Sequence, residues 1–151
     1  VALSPTSSRG TAGAASSQLA YVEFTSSVTI SATTEGTAQD VVSSGAVTYA
    51  AVATIIEFSC PVIEPVTFAT PPGIFFILQD GATVLGRLAF FGPGAAVQSD
   101  DSPRLSRQLT PSAGSHTYKV TAYRLNQNWT VAAGSGGTGA YVPGYIRVYT
   151  A

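Results

Sequence analysis

The chain reads as an all-β domain: an antiparallel β-sandwich of jelly-roll type, with about eight to ten strands and an extended N-terminal arm. Three observations predict it. Short apolar stretches alternate with polar residues at a period of two, punctuated by Gly, Pro and Asp-Gly. No stretch holds the 3.6-residue period of a helix over any length. Residues 109–149 contain a long alternating strand, a glycine-rich loop and a final alternating strand, with no catalytic grouping among them.

Residues 1–18 (VALSPTSSRGTAGAASSQ) are small, polar and rich in Gly, Ser, Thr and Ala, the composition of an extended arm. Such a segment buries too little apolar surface to order itself, so it is expected to be held by something outside the domain. The sandwich is expected over residues 19–151. Ala20–Phe24 and Ser27–Ser31 alternate and carry β-branched residues. Residues 46–58 (AVTYAAVATIIEF) read as one long strand or two joined ones, and Pro61 and Pro65 break the ladder after them. Residues 74–79 are almost continuously apolar, as in a strand covered on both faces. Asp80-Gly81 is a hairpin signal, and Thr83–Phe91 is its partner strand.

Residues 95–104 form a polar loop, and Leu105–Leu109 a short edge strand. In His116–Arg124 the alternation places Tyr118, Val120 and Ala122 inside, and Thr117, Lys119, Thr121 and Tyr123 outside. Residues 129–132 form another strand. In the last one Ile146 and Val148 face one way, and Tyr145, Arg147 and Tyr149 the other.

At 151 residues the chain forms one domain with a core that needs no metal or disulfide staple. Charged residues make up only 10%, against a usual quarter or so. So few charges imply that much of the surface is covered by further copies or by a partner. The net charge of −1 is scattered without a basic stripe, which argues against nucleic acid. No apolar run approaches the roughly 18 residues of a membrane helix. The single cysteine, Cys60, permits no intrachain disulfide and suits a reducing cytoplasm. The initial Val suits removal of an initiator Met, and no signal-peptide pattern is expected.

The candidate sites have plain readings. His116, the only histidine, has Ser112 and Ser115 nearby but no nucleophile-elbow pattern, so it reads as a strand-start residue bonded to loop backbone. Cys60 precedes Pro61 in an apolar stretch that offers no cation to lower its pKa, and reads as a buried thiol. Asp100-Asp101, even with Asp80, lacks calcium-loop spacing and reads as a solvated loop or as ion pairs with Arg104 and Arg107. Asn128-Trp129-Thr130 matches a glycosylation sequon of low specificity. Residues 135–139 (SGGTG) do not join a strand to a helix, so the glycines serve positive φ or tight backbone approach and not phosphate. No catalytic residue, metal site or cofactor is expected. Tyr123, Trp129, Tyr145 and Tyr149 are candidates for partner or glycan contact.

Residues 109–124 (LTPSAGSHTYKVTAYR), followed by 129–148 (WTVAAGSGGTGAYVPGYIRV), resemble the C-terminal strands of structural proteins of tailed bacteriophages. Those are similar in architecture to the trimeric jelly roll of the tumour necrosis factor and complement head domains. The resemblance covers about a quarter of the chain and implies a homotrimer, no catalysis and a place on the virion, assembled in the host cytoplasm. Surplus apolar strand surface at Ile74, Phe75, Phe76, Phe90 and Phe91 marks the expected trimer interface. The low-complexity arm suggests a tether, through residues 1–18, to the major capsid protein or another virion protein. A capsid decoration or cementing protein is therefore the first expectation. The alternative is a tail-tip or fibre protein that binds glycan through loops 95–104 and 124–128. A secreted ligand of the tumour necrosis factor or complement type is a weaker third.

Overall fold

The computed structural model describes residues 16–67, 71–92 and 100–151. Most of the expected arm (residues 1–15) and part of the expected polar loop (95–99) lie outside the described residues. Within them, eleven strands run in chain order: β1 Gln18–Phe24, β2 Val28–Ile30, β3 Gln39–Tyr49, β4 Thr54–Ser59, β5 Val62–Pro65, β6 Gly73–Asp80, β7 Thr83–Phe91, β8 Arg104–Leu109, β9 Gly114–Leu125, β10 Trp129–Ala132 and β11 Gly144–Thr150. The single helical element among the described residues is a 3-10 turn at Glu35–Thr37.

The strands form three antiparallel sheets, ordered β1-β11-β4-β8, β3-β9-β6-β7 and the short β2-β10-β5. Setting the short sheet aside, consecutive long strands cross from one four-stranded sheet to the other at every step except the β6–β7 hairpin. That is the jelly-roll order, and the chain is an all-β sandwich. Strands alternate because each sheet buries one face and wets the other, and the two buried faces meet. Ile56, Phe58, Ile146 and Val148 come from one sheet, and Val42, Val47, Phe76, Leu78, Tyr118 and Val120 from the other. The Phe58 and Phe76 rings meet across the interface at 5.4 Å.

β7 and β10 match the sequence reading residue for residue, and Ile146 and Val148 are fully buried. Residues 46–58 are two strands in different sheets, turned at Ala51 with φ +49°. β3 also begins at Gln39, well before the expected Ala46. Its period is broken by register shifts between Asp40 and Val42 and between Ser43 and Ala46. Gly45 takes φ +70° at the second of these, a conformation that L side chains rarely adopt. Pro61 ends β4, but Val62–Pro65 still pairs as an edge strand, where a missing donor is tolerated.

In β9 the expected inward set Tyr118, Val120 and Ala122 lies in the core. The expected outward residues Thr121 and Tyr123 are buried as well. β9 is a central strand, and the sheet's outer side is partly covered by its own side chains. Arg87 reaches across Phe75 and pairs with Glu35 of the 3-10 turn at 3.0 Å.

Candidate functional site

Three places hold the side chains with chemistry to offer. The first is the outer face of β1-β11-β4-β8. Pairing aligns Tyr21, Arg147, Glu57 and Ser106 in one row across the four strands, and Glu23, Tyr145, Ser59 and Arg104 in the next. Glu57 is an acid set between the apolar Ile56 and Phe58 of β4, with a side chain only 7% exposed. Its carboxylate accepts from Tyr145 Oη at 2.7 Å, from Arg104 Nη2 at 3.3 Å to each oxygen, and from Arg147 Nη2 at 3.3 Å. Burial alone would raise the carboxyl, but the Tyr145 bond and the two guanidiniums outweigh it and hold it below the ordinary range.

Tyrosines surround this cluster. The Tyr21 and Tyr145 rings lie 5.3 Å apart, Tyr21 donates to Glu23 at 2.9 Å, and the Arg147 guanidinium sits over Tyr149 at 4.5 Å. The two carboxylates, Glu23 and Glu57, balance the two guanidiniums of Arg104 and Arg147, so these two rows carry no net charge.

The second place is the outer face of β3-β9-β6-β7. Phe75 stacks on Tyr123 at 4.7 Å and meets Phe90 at 4.5 Å, with Arg87 over the Phe75 ring. Phe90 is 50% exposed. Ile77, on the same side, is fully buried and outside the main core cluster.

The third is a cleft of about 240 Å³ lined by Asp80, Leu85, Leu109, Thr110, Pro111, His116 and Tyr118. The β6–β7 hairpin and the β8–β9 loop form it. Arg107 closes the adjoining sandwich edge by donating to the Leu85 carbonyl at 2.8 Å. His116 lies 2.5 Å from Asp80 Oδ2 through Nδ1 and 3.0 Å from the Ser112 carbonyl through Nε2. The Asp80 bond raises its pKa, burial opposes the shift, and the Ser112 carbonyl adds to it. Both ring nitrogens are engaged, so neither is placed to act as a base on Ser112 or Ser115.

Several expected contact residues need correction. Trp129 is 0% exposed and belongs to the core, so it is not a partner or glycan contact of the folded chain. Tyr123 is only 6% exposed, shut in by Phe75 and Arg87. Tyr145 and Tyr149 lie on the outer face, part-buried. Of the expected trimer residues, Ile74 and Phe76 point into the core and are fully buried, because even positions of β6 face the opposite sheet. Phe91 is half-buried edge-on to Phe76. Phe75 and Phe90 face outward.

Cys60 is buried, and burial pushes its thiol up to about 12. It is expected to react with an aromatic disulfide reagent only after denaturation, and fast modification of native protein would contradict this placement. Gly136, Gly137 and Gly139 take φ of +77°, +109° and +74°, the positive values expected of that loop. Among the described residues no group of three or more His, Cys, Asp or Glu side chains is placed to hold a metal ion. No described helix is long and apolar enough to cross a membrane.

The sequence reading missed the Glu57 cluster. Its signals were an acid inside TIIEF and an arginine inside YIRVY, both at outward positions. Only the β4–β11 register brings them together.

Fold and surfaces together define a jelly-roll sandwich with one electrostatically balanced, tyrosine-bearing sheet face and one smaller aromatic patch. No protein-family model and no curated protein matches the chain.

Proposed function

We propose that the chain is a non-enzymatic structural protein of a tailed-bacteriophage virion. On this reading it is a homotrimer that decorates and cements the capsid through its N-terminal arm. One observation carries the reading: the outer face of β1-β11-β4-β8, with Tyr21, Tyr145 and Tyr149 around the Glu57 cluster. Its charges are already neutralised within one chain, so covering it with a second copy strips water from few unpaired groups. Tyrosine supplies large contact area with few rotatable bonds. This face, with Phe75 and Phe90 as a smaller second patch, replaces Ile74 and Phe76 as the surface of self-association.

The low charge content and the jelly-roll order support the same reading, and so do the saturated His116 and the inert Cys60. The mechanism is added buried area across capsomer boundaries, which raises the cost of opening the shell. The tether begins before Ser17, because Ser17 already bonds Thr150 through Oγ1 at 2.7 Å and through the Thr150 amide at 2.9 Å.

Sedimentation of the full chain is expected to give three copies, and Tyr145→Ala with Tyr149→Ala to give folded monomers. Removing residues 1–16 is expected to leave the trimer intact and abolish binding to capsids. A monomeric full chain, or truncated protein that still decorates capsids, overturns the reading. Glycan-array binding lost in the tyrosine variants would favour the tail-tip alternative instead.

A further inference from the structure

The His116 ring has an oxygen at each nitrogen, and both oxygens are acceptors: the Asp80 carboxylate at 2.5 Å and the Ser112 carbonyl at 3.0 Å. A neutral imidazole has a single N–H and satisfies one of them. Only the imidazolium donates to both. The two partners belong to different pieces of chain, Asp80 at the end of β6 and Ser112 in the loop between β8 and β9.

We propose that His116 is a proton-operated latch on the end cleft. Charged, it ties residues 110–113 to the β6–β7 hairpin; neutral, it keeps Asp80, drops Ser112 and lets that wall of the cleft open.

The surroundings suit a latch. Asp80 Oδ1 is held by the Thr117 amide at 3.0 Å, so the carboxylate is fixed before it meets the ring. Tyr118 of β9 stacks on the imidazole at 5.9 Å, and Tyr49 of β3 meets it edge-on at 5.4 Å. Burial, then nearby Tyr118 and after it Asp80, pushes the Tyr49 hydroxyl up, and burial followed by Asp80 raises that of Tyr118. Both rings therefore stay neutral, and Asp80 is the charge that faces the imidazole from these elements.

The folded-state pKa of His116 is raised. The latch is thus complete below the ordinary histidine value of about 6.5 and is lost as pH rises through the raised folded value.

His116 is the only histidine, so every imidazole signal of the full chain reports on it. Long-range proton–nitrogen NMR at pH 6 is expected to show both ring nitrogens protonated, with a titration midpoint above the ordinary value. Across that midpoint, amide exchange at Thr110, Ser112 and Ala113 is expected to quicken about tenfold beyond its intrinsic pH dependence, the loss of one charge-assisted hydrogen bond. Asp80→Asn is expected to lower the midpoint and the opening together, and His116→Gln to remove the step. A neutral ring at pH 6 overturns the proposal. So does a titration that leaves exchange at residues 110–113 unchanged, in the wild-type chain alone.

Discussion

Trp129→Ala is expected to leave the domain barely folded or unfolded. Its indole is fully buried in β10, the central strand of the short sheet. Truncating a buried tryptophan costs about 3–5 kcal/mol, against a total stability of roughly 5–15 kcal/mol for such a domain. The indole Nε1 makes no hydrogen bond among the described residues. Trp129→Phe therefore sacrifices only packing and is expected to cost well under half as much, on the order of 1–2 kcal/mol. Urea denaturation of the two variants separates the readings. If Trp129→Ala unfolds at the wild-type midpoint and loses only ligand binding, the residue is a surface contact and the core assignment fails.

Glu57→Gln is expected to have the second-largest effect, and its signature is a pH dependence. The wild-type carboxylate is held below its unfolded value by Tyr145, Arg104 and Arg147, against its own burial. A depressed folded pKa contributes stability that is present above the unfolded value of about 4.3 and is lost as pH falls through the lower folded one. Wild-type stability is thus expected to decline below pH ~4, while the glutamine variant loses that part of the slope. At neutral pH the variant is expected to be about 1–2 kcal/mol less stable, the low end for a charged buried hydrogen-bonding group, because Arg104 lies largely in water and is screened. The substitution also leaves two guanidiniums and one carboxylate on the face proposed for self-association, so weaker assembly is expected with it. Equal acid slopes in the two proteins would show that Glu57 does not anchor the cluster.

Much of the fold was legible because β-structure writes its burial into a period of two. Thr83–Phe91 and Trp129–Ala132 needed nothing more than alternation and turn residues at their ends. Residues 39–45 were missed because two register shifts break the period that a reader follows. Trp129 was misplaced for a different reason. A large aromatic with a polar tip suits both a surface and a core, and its neighbours Thr130 and Val131 do not decide which. Thr121 and Tyr123 followed the alternation correctly, yet they are buried, since alternation says which face a residue occupies and not whether that face is covered.

The sequence by itself determined the fold class, most strand positions, the inert surroundings of Cys60 and the shortage of surface charge. These are local properties, carried by neighbouring residues along the chain. The tertiary structure decided which distant residues share a row. Glu57, Arg104, Tyr145 and Arg147 converge only because β4 lies between β8 and β11 in one register. His116 acquires two acceptors only because the β6–β7 hairpin and the β8–β9 loop meet at one end of the sandwich. A strand's period fixes its faces, but its neighbours are chosen by how two sheets close over one core, and that choice is made by the whole chain at once.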